Sequence, residues 1–231
     1  MSQLIDEVCG QTCQGVLFDL DGTLVDSVPD LAAALDEMLT ALGKPPAGIE
    51  GARHWVGNGA TLLIKRALTH EMYPTDDHPA LLQHLSDAEG LFASAYERLN
   101  GQNACLYPGV SQALQQLQDQ GLKLAVVTNK PERYVPALLE HLGIRQYFSV
   151  IIGGDTLPQR KPDPAQLLLA VERLQVPKAA CVMVGDSRHD IEAARNAAMA
   201  AIGVPYGYNH GEPITTASPD RVVEQLTELT A

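Results

Sequence analysis

Five short apolar runs punctuate this chain, and the stretches between them carry apolar residues at helical spacing. The runs are Val16-Leu17-Phe18, then LKLAVV before Thr128, SVIIGG before Asp155, AACVMVG before Asp186, and AAIGVP from Ala200. A largely apolar run of three to seven residues, closed by turn residues, reads as a strand buried on both faces. Helices are expected from Val110 to Gln120, closed by Gly121, and from Pro131 to His141, where Val135, Leu138, Leu139 and Leu142 form one stripe and Gly143 ends it. A third opens at Asp163-Pro164, a fourth runs from Ser187 to Ala198, and a fifth from Pro219 to Leu229. Strands alternating with helices of this length mean parallel βαβ units: an α/β fold with an open parallel five-stranded sheet covered on both faces.

Between the first and second of these strands the pattern is helical throughout. Leu31, Leu35, Met38, Leu39 and Leu42 mark one helix from Pro29, ended by Gly43; further helical patterns run from about Gly59 to Glu71 and from His78 to Leu99. A stretch of this length exceeds any crossover between neighbouring strands, so 28–104 reads as an inserted all-helical domain, and 1–27 with 105–231 as the core. An insertion leaving just after Asp21 is expected to hang over the carboxyl end of the first strand, where open α/β sheets bind ligands.

Composition narrows the partners. Lys and Arg number 16 against 28 Asp and Glu, a net charge of −12, so there is no basic face for nucleic acid. That field repels anions, and a phosphate site in this chain needs local cations. The opening segment MSQLIDEVCGQTCQG has neither the basic nor the apolar region of a secretory signal, and no apolar run approaches a membrane span. Cys9, Cys13, Cys105 and Cys181 lack zinc-site spacing and read as reduced thiols, which gives a cytoplasmic expectation. The expected partner is a small molecule, with neither nucleic acid nor membrane; the oligomeric state is left open.

The chemistry collects at the strand ends. The first strand runs into Asp19 and Asp21, the second into Thr128-Asn129-Lys130, and the fourth into Gly185-Asp186-Ser187, with Asp190 one helical turn on; Lys161 precedes Pro162 after the third. Singly, each has an ordinary explanation as a turn, a helix cap or a solvated lysine. Together, at one edge of one sheet, they supply a seat for a hard cation, a nucleophile, a hydroxyl donor and a counter-charge.

Asp19-Leu20-Asp21-Gly22-Thr23, Thr128, Lys161-Pro162 and Gly185-Asp186-x-x-x-Asp190 resemble, in order and spacing, the four signature motifs of the haloacid-dehalogenase superfamily. The resemblance implies a Rossmann-like core with a small helical cap. It also implies Asp19 as nucleophile, Asp21 as general acid and then base, and Lys161 as counter-charge. Mg²⁺ would be held by Asp19, the Asp21 carbonyl and Asp186, with Asp190 in or near the ligand set. Thr128 and the Asn129 amide would grip phosphoryl oxygens. Asp21 separates the superfamily's phosphoryl-transfer members from its dehalogenases.

Trp55-Val56-Gly57-Asn58-Gly59-Ala60, Arg66-Ala67-Leu68 and Tyr206-Gly207-Tyr208-Asn209 look like stretches of bacterial phosphoglycolate phosphatases. This implies an aspartyl-phosphate mechanism on 2-phosphoglycolate. Gly57, Asn58 and Gly59 are then candidates for the substrate's carboxylate, at a helix N-terminus. Arg66 reads as a solvated helix residue, and residues 1–14 form a longer start than the resemblance leads one to expect. The competing readings are a phosphatase for another small metabolite, a sugar phosphomutase of the β-phosphoglucomutase type, a phosphonate hydrolase using Lys65, and a non-catalytic binding module on the same scaffold.

Overall fold

A computed structural model describes residues 3–230. Its central sheet grows from the apolar runs: β1 (Gly15–Phe18), β4 (Lys123–Val127), β5 (Phe148–Ile152), β6 (Cys181–Gly185) and β7 (Ala200–Gly203). All residues of β1 and β6 are buried, as expected of strands covered on both faces. With β8 (Arg221–Val222) at one edge, the order across the sheet is β5-β4-β1-β6-β7-β8, all parallel, with Phe18 opposite Val126 on one side and Val184 on the other. Winding runs outward from β1 to β5, then returns to β6 on the other flank of β1. That reversal is the topological switch point, where such sheets open a crevice at their carboxyl ends.

The sixth strand, β8 (Arg221–Val222), corrects the five-stranded expectation and the helix expected from Pro219 to Leu229. Asp220 N–H donates to Ala201 O and Val223 N–H to Gly203 O, which draws the segment onto β7. Leu226–Thr230 then forms a 3₁₀ turn. Val223, Leu226 and Leu229 are all fully buried and recur every three residues, a spacing that both α- and 3₁₀-helices allow, and the backbone pairing with β7 decides between them. The N-terminal stretch, for which no element was expected, carries α1 (Gln3–Cys9); Ile5 is buried, and the Asp6 carboxylate accepts from Cys13 N–H at 2.8 Å.

The sheet is flanked by α6 (Val110–Asp119), α7 (Val135–His141), α8 (Ala165–Leu174) and α9 (Arg188–Asn196). On one face Leu17, Ala125, Met183 and Ala201 pack against Leu167, Ala170, Ile191 and Ala194. The expected helix from Pro131 begins as a 3₁₀ turn at Glu132–Tyr134 before α7.

Two compact units divide the chain, 1–26 with 106–231 and 27–105. The two-residue strands β2 (Val25–Asp26) and β3 (Cys105–Leu106), too short to show in the hydrophobic pattern, form a separate ribbon. The inserted unit contains α2 (Val28–Ala41), α3 (Gly48–Trp55), α4 (Ala60–Thr69) and α5 (Pro79–Leu99). Of these, α3 had no separate signal in the pattern. In α5 the buried Phe92 and Tyr96 stack, with ring centroids 5.5 Å apart.

Asp30, fully buried in the first turn of α2, closes this unit on itself. Its carboxylate accepts from the N–H groups of Gly101 and Asn103, each at 2.7 Å, from Ala104 N–H at 3.3 Å and from the Asn103 side-chain amide at 3.2 Å. Removing the acceptor strands several buried donors, and each is costly. Asp30→Ala is therefore expected to lower the unfolding free energy of the inserted unit by about 3 kcal/mol or more. Asp30→Asn should cost less, because one oxygen survives. Urea denaturation of both variants checks the ranking.

Candidate active site

The site is built where β1 and β6 run out. Asp19 N–H donates to Val184 O at 3.0 Å, the last rung between the two strands, so the Asp19 carboxylate stands at the edge of the sheet. Leu20 O then accepts from the N–H groups of Thr23, Leu24 and Val25, which curls the chain into a tight loop carrying Asp21. Gly22 has φ +94° in this loop, and a Cβ there would lie 2.3 Å from an Asp186 oxygen. Gly207 meets the same carboxylate from the other side, with a Cβ position 2.2 Å from Asp186 Oδ2. Asp186 is thus enclosed between two glycines, with Thr23 Oγ1 donating to Oδ1 (2.8 Å) and Tyr208 N–H to Oδ2 (2.7 Å).

Asp190 is fixed by the start of α9. Ser187 is the N-cap, and Asp190 Oδ2 accepts from both its N–H (3.0 Å) and its hydroxyl (2.6 Å). The other oxygen faces Lys161, whose Nζ donates to Asp190 Oδ1 at 2.6 Å and to Val127 O at 2.7 Å, and sits 2.9 Å from Asp19 Oδ1. Asn129 grips the Lys161 backbone at both ends, through Oδ1 to N–H and Nδ2 to C=O, each at 3.1 Å. The Asn129 side chain thus seats the lysine. Thr128 is buried, and its oxygen accepts from Lys130 N–H at 3.2 Å.

One oxygen from each of Asp19, Asp186 and Asp190 lies within 4.8 Å of the others. At that spacing two ionised carboxylates repel by roughly 3.5 kcal/mol at an effective dielectric near 20. Among the described residues, Lys161 is the lysine whose ammonium pairs with Asp19 and Asp190. Burial, opposed by Lys161 and reinforced by Asp190, pushes the Asp19 carboxyl up to about 7. Burial, with Asp19 and Asp190 alongside, holds Asp186 well above the usual carboxylate range. Lys161 shows the converse: burial opposes its charge, but Asp19 and Asp190 outweigh burial and its pKa is raised. The partner of Asp19 Oδ1 is the Lys161 ammonium, 2.9 Å away, and no conventional hydrogen bond to that oxygen is found among the described residues. Three hard oxygen donors within 4.8 Å of one another and an excess of negative charge fit a divalent cation.

Asp21 stands apart from this cluster. Lys130 Nζ reaches both of its carboxylate oxygens, at 3.0 and 3.3 Å. Residue type alone does not reveal that partnership, although Lys130 follows Thr128 and Asn129 at the same strand end. Tyr208 acts through its backbone N–H, which leaves no trace in residue type.

The remaining candidates lie in the inserted unit. Gly57 and Gly59 both have positive φ (122° and 88°), and Gly59 caps α4 without a side-chain hydrogen bond. Arg66, expected to be solvated, is buried: it donates to Trp55 O at 2.5 Å and Met72 O at 2.9 Å, tying α3 and α4 together. Lys65 pairs with the exposed Asp76 at 2.5 Å.

Comparison with known proteins agrees with this geometry. The model of the haloacid dehalogenase-like hydrolases matches residues 13–198, which include every strand-end residue described above. A phosphoglycolate phosphatase of Pseudomonas putida is 50% identical over 214 residues, 93% of this chain and 77% of that protein. One from Pseudomonas fluorescens is 50% identical over 216 residues, with the same shares covered. Among solved structures, a predicted phosphoglycolate phosphatase from Haemophilus somnus superposes with a TM-score of 0.85 at 35% identity, covering 94% of this chain and 96% of that one. CbbY from Rhodobacter sphaeroides, solved with phosphate, gives 0.76 at 28% identity over 94% and 96%. On the matched motifs and the extent of this similarity, the chain belongs to the haloacid dehalogenase-like hydrolases.

Proposed function

We propose that this chain is a Mg²⁺-dependent phosphatase that hydrolyses a small phosphate monoester through an aspartyl-phosphate, with 2-phosphoglycolate as substrate and glycolate as product. The observation that carries the reading is the Asp19 carboxylate, buried at the sheet edge with one oxygen 2.9 Å from the Lys161 ammonium. The names of the relatives at 50% identity support the substrate.

In the first step an Asp19 oxygen attacks phosphorus, the ester P–O bond breaks, and the departing oxygen takes a proton from Asp21. In the second, water attacks the phosphorus of the acyl-phosphate and gives its proton to Asp21, which frees phosphate and Asp19. Lys161 offsets charge on Asp19 and the incoming phosphoryl group. The Thr128 hydroxyl, accepting from Lys130 N–H, keeps its own proton to donate to a phosphoryl oxygen. Asp19, the Asp21 carbonyl and Asp186 would hold Mg²⁺, with Asp190 close behind. Bound there, the cation supplies the counter-charge that lets an anionic nucleophile meet an anionic substrate. To the loop Gly57-Asn58-Gly59 we assign recognition of the substrate's carboxylate, supported by the uncapped amides at the start of α4. A cytoplasmic setting accords with four cysteines that form no disulfide. No helix of the described chain is long and apolar enough to cross a membrane.

The reading is tested by kcat/KM across a panel of phosphorylated metabolites with Mg²⁺, in which phosphoglycolate should lead. Asp19→Asn should retain the fold and lose at least 99% of kcat, because the amide is no nucleophile and a poor cation ligand. Asp21→Asn should slow turnover by ~10²–10⁴. Its penalty should shrink on p-nitrophenyl phosphate, whose leaving group hardly needs a proton.

A further expectation concerns protons. Asp19, raised to about 7, still carries its proton at pH 6, where an ordinary carboxyl has lost it. A cation must expel that proton to bind. Mg²⁺ binding should therefore release protons at pH 6 and tighten as pH rises from there to 8.5, the more so because Asp186 is also held above the usual carboxylate range. Calorimetry in two buffers of different ionisation enthalpy measures both, and equal affinity at the two pH values would contradict the assignment. Activity should vanish with chelator and return with Mg²⁺, but poorly with Ca²⁺, whose looser shell misplaces the reacting groups.

A further inference from the structure

Lys130 is a buried cation at the catalytic strand edge that none of the four motifs uses. Its side chain is 3% exposed, and its ammonium spans the two oxygens of Asp21 at 3.0 and 3.3 Å. The base from which it reaches is fixed at both ends. Its N–H donates to Thr128 Oγ1 at 3.2 Å, and its carbonyl accepts from Gly154 N–H at 2.7 Å. The parallel register that sets Phe18 opposite Val126 brings the ends of β1 and β4 to the same height, so Asp21 and Lys130 meet across neighbouring strands. Asp21, by contrast, sits in a loop and is partly exposed, at 15%. A carboxylate in such a loop can turn about its Cβ–Cγ bond, and an ammonium on both oxygens removes that freedom. Orientation of a proton-transfer group is worth orders of magnitude in rate.

We propose that Lys130 is a positioning residue for Asp21, acting on the proton-transfer steps alone by fixing the direction in which that carboxyl group faces. The proposal rests on the reading of Asp21 as acid and base. Lys161 has a separate task, since it is engaged by Asp19, Asp190 and Val127 O.

The test is a double-mutant cycle between Lys130→Met and Asp21→Asn, measured as kcat on an alkyl phosphate and on p-nitrophenyl phosphate in saturating Mg²⁺. Lys130→Met should lower kcat on the alkyl ester by ten-fold or more and on the activated ester by much less. In the Asp21→Asn background the same change should have little further effect, because the group it positions is gone. Lys130→Arg, which can still reach both oxygens, should recover part of the loss. Equal losses on both esters, or losses that multiply with those of Asp21→Asn, would overturn the proposal in favour of a structural or substrate-binding lysine. If Lys130→Met does not fold, Lys130→Gln read on the same two esters decides the matter. The outcomes also separate the proposal from its premise. If Asp21→Asn itself shows no dependence on the leaving group, the acid–base reading fails; if it shows one and the lysine variants do not, the positioning role fails.

Discussion

Three carboxylates held within 4.8 Å of one another, with the Lys161 ammonium paired to two of them, are the constraint on which the architecture of this site depends. Left to themselves, Asp19, Asp186 and Asp190 would move apart or take up protons; burial first, and the neighbouring carboxylates after it, raise Asp19 and Asp186. What holds the three together is local and specific. Asp190 is locked by the cap of α9, Asp186 by a hydroxyl and a backbone N–H, and Asp19 by the last rung of the sheet. Such crowding works against folding stability, and it is a charge arrangement that a divalent cation would relieve.

The sheet makes that point possible. Because the winding order reverses beside β1, its carboxyl end is free of a crossover on either flank, and residues from β1, β4 and β6 converge there. Two close backbone approaches finish the job. At Gly22 and Gly207 a side chain would overlap the Asp186 carboxylate, so the loops of residues 20–25 and 206–209 can close on it only as glycines. Lys161 arrives from the connection after β5 on a backbone clamped by Asn129, which places its ammonium without relying on its flexible stem.

Each of the two acids at the end of β1 has its own ammonium, and the two environments differ. Asp19 is buried with Lys161 in the crowded cluster, whereas Asp21 is partly exposed and held by Lys130 alone among the described residues' ion pairs. Environments that differ in this way let two chemically identical side chains take different parts in one reaction.

Periodicity alone determined most of the strands and helices, because a strand buried on both faces must be apolar throughout and a flanking helix must be apolar on one stripe. The motif residues were legible for a related reason: carboxylates and a lysine at apolar strand ends have no packing rationale, so their presence there marks chemistry. What sequence could not decide depends on contacts between distant segments. The segment after Pro219 carries Val223, Leu226 and Leu229 in a pattern open to an α-helix, and only backbone pairing with β7 makes it a strand followed by a 3₁₀ turn. Arg66 looks like any surface arginine until Trp55 O and Met72 O are placed around it. The pairing of Lys130 with Asp21 spans 109 residues, and the engagement of Asn129 with the Lys161 backbone spans 32. Residue type states what a side chain can do, but its partner is set by strand order and register, and these exist only once the chain has folded.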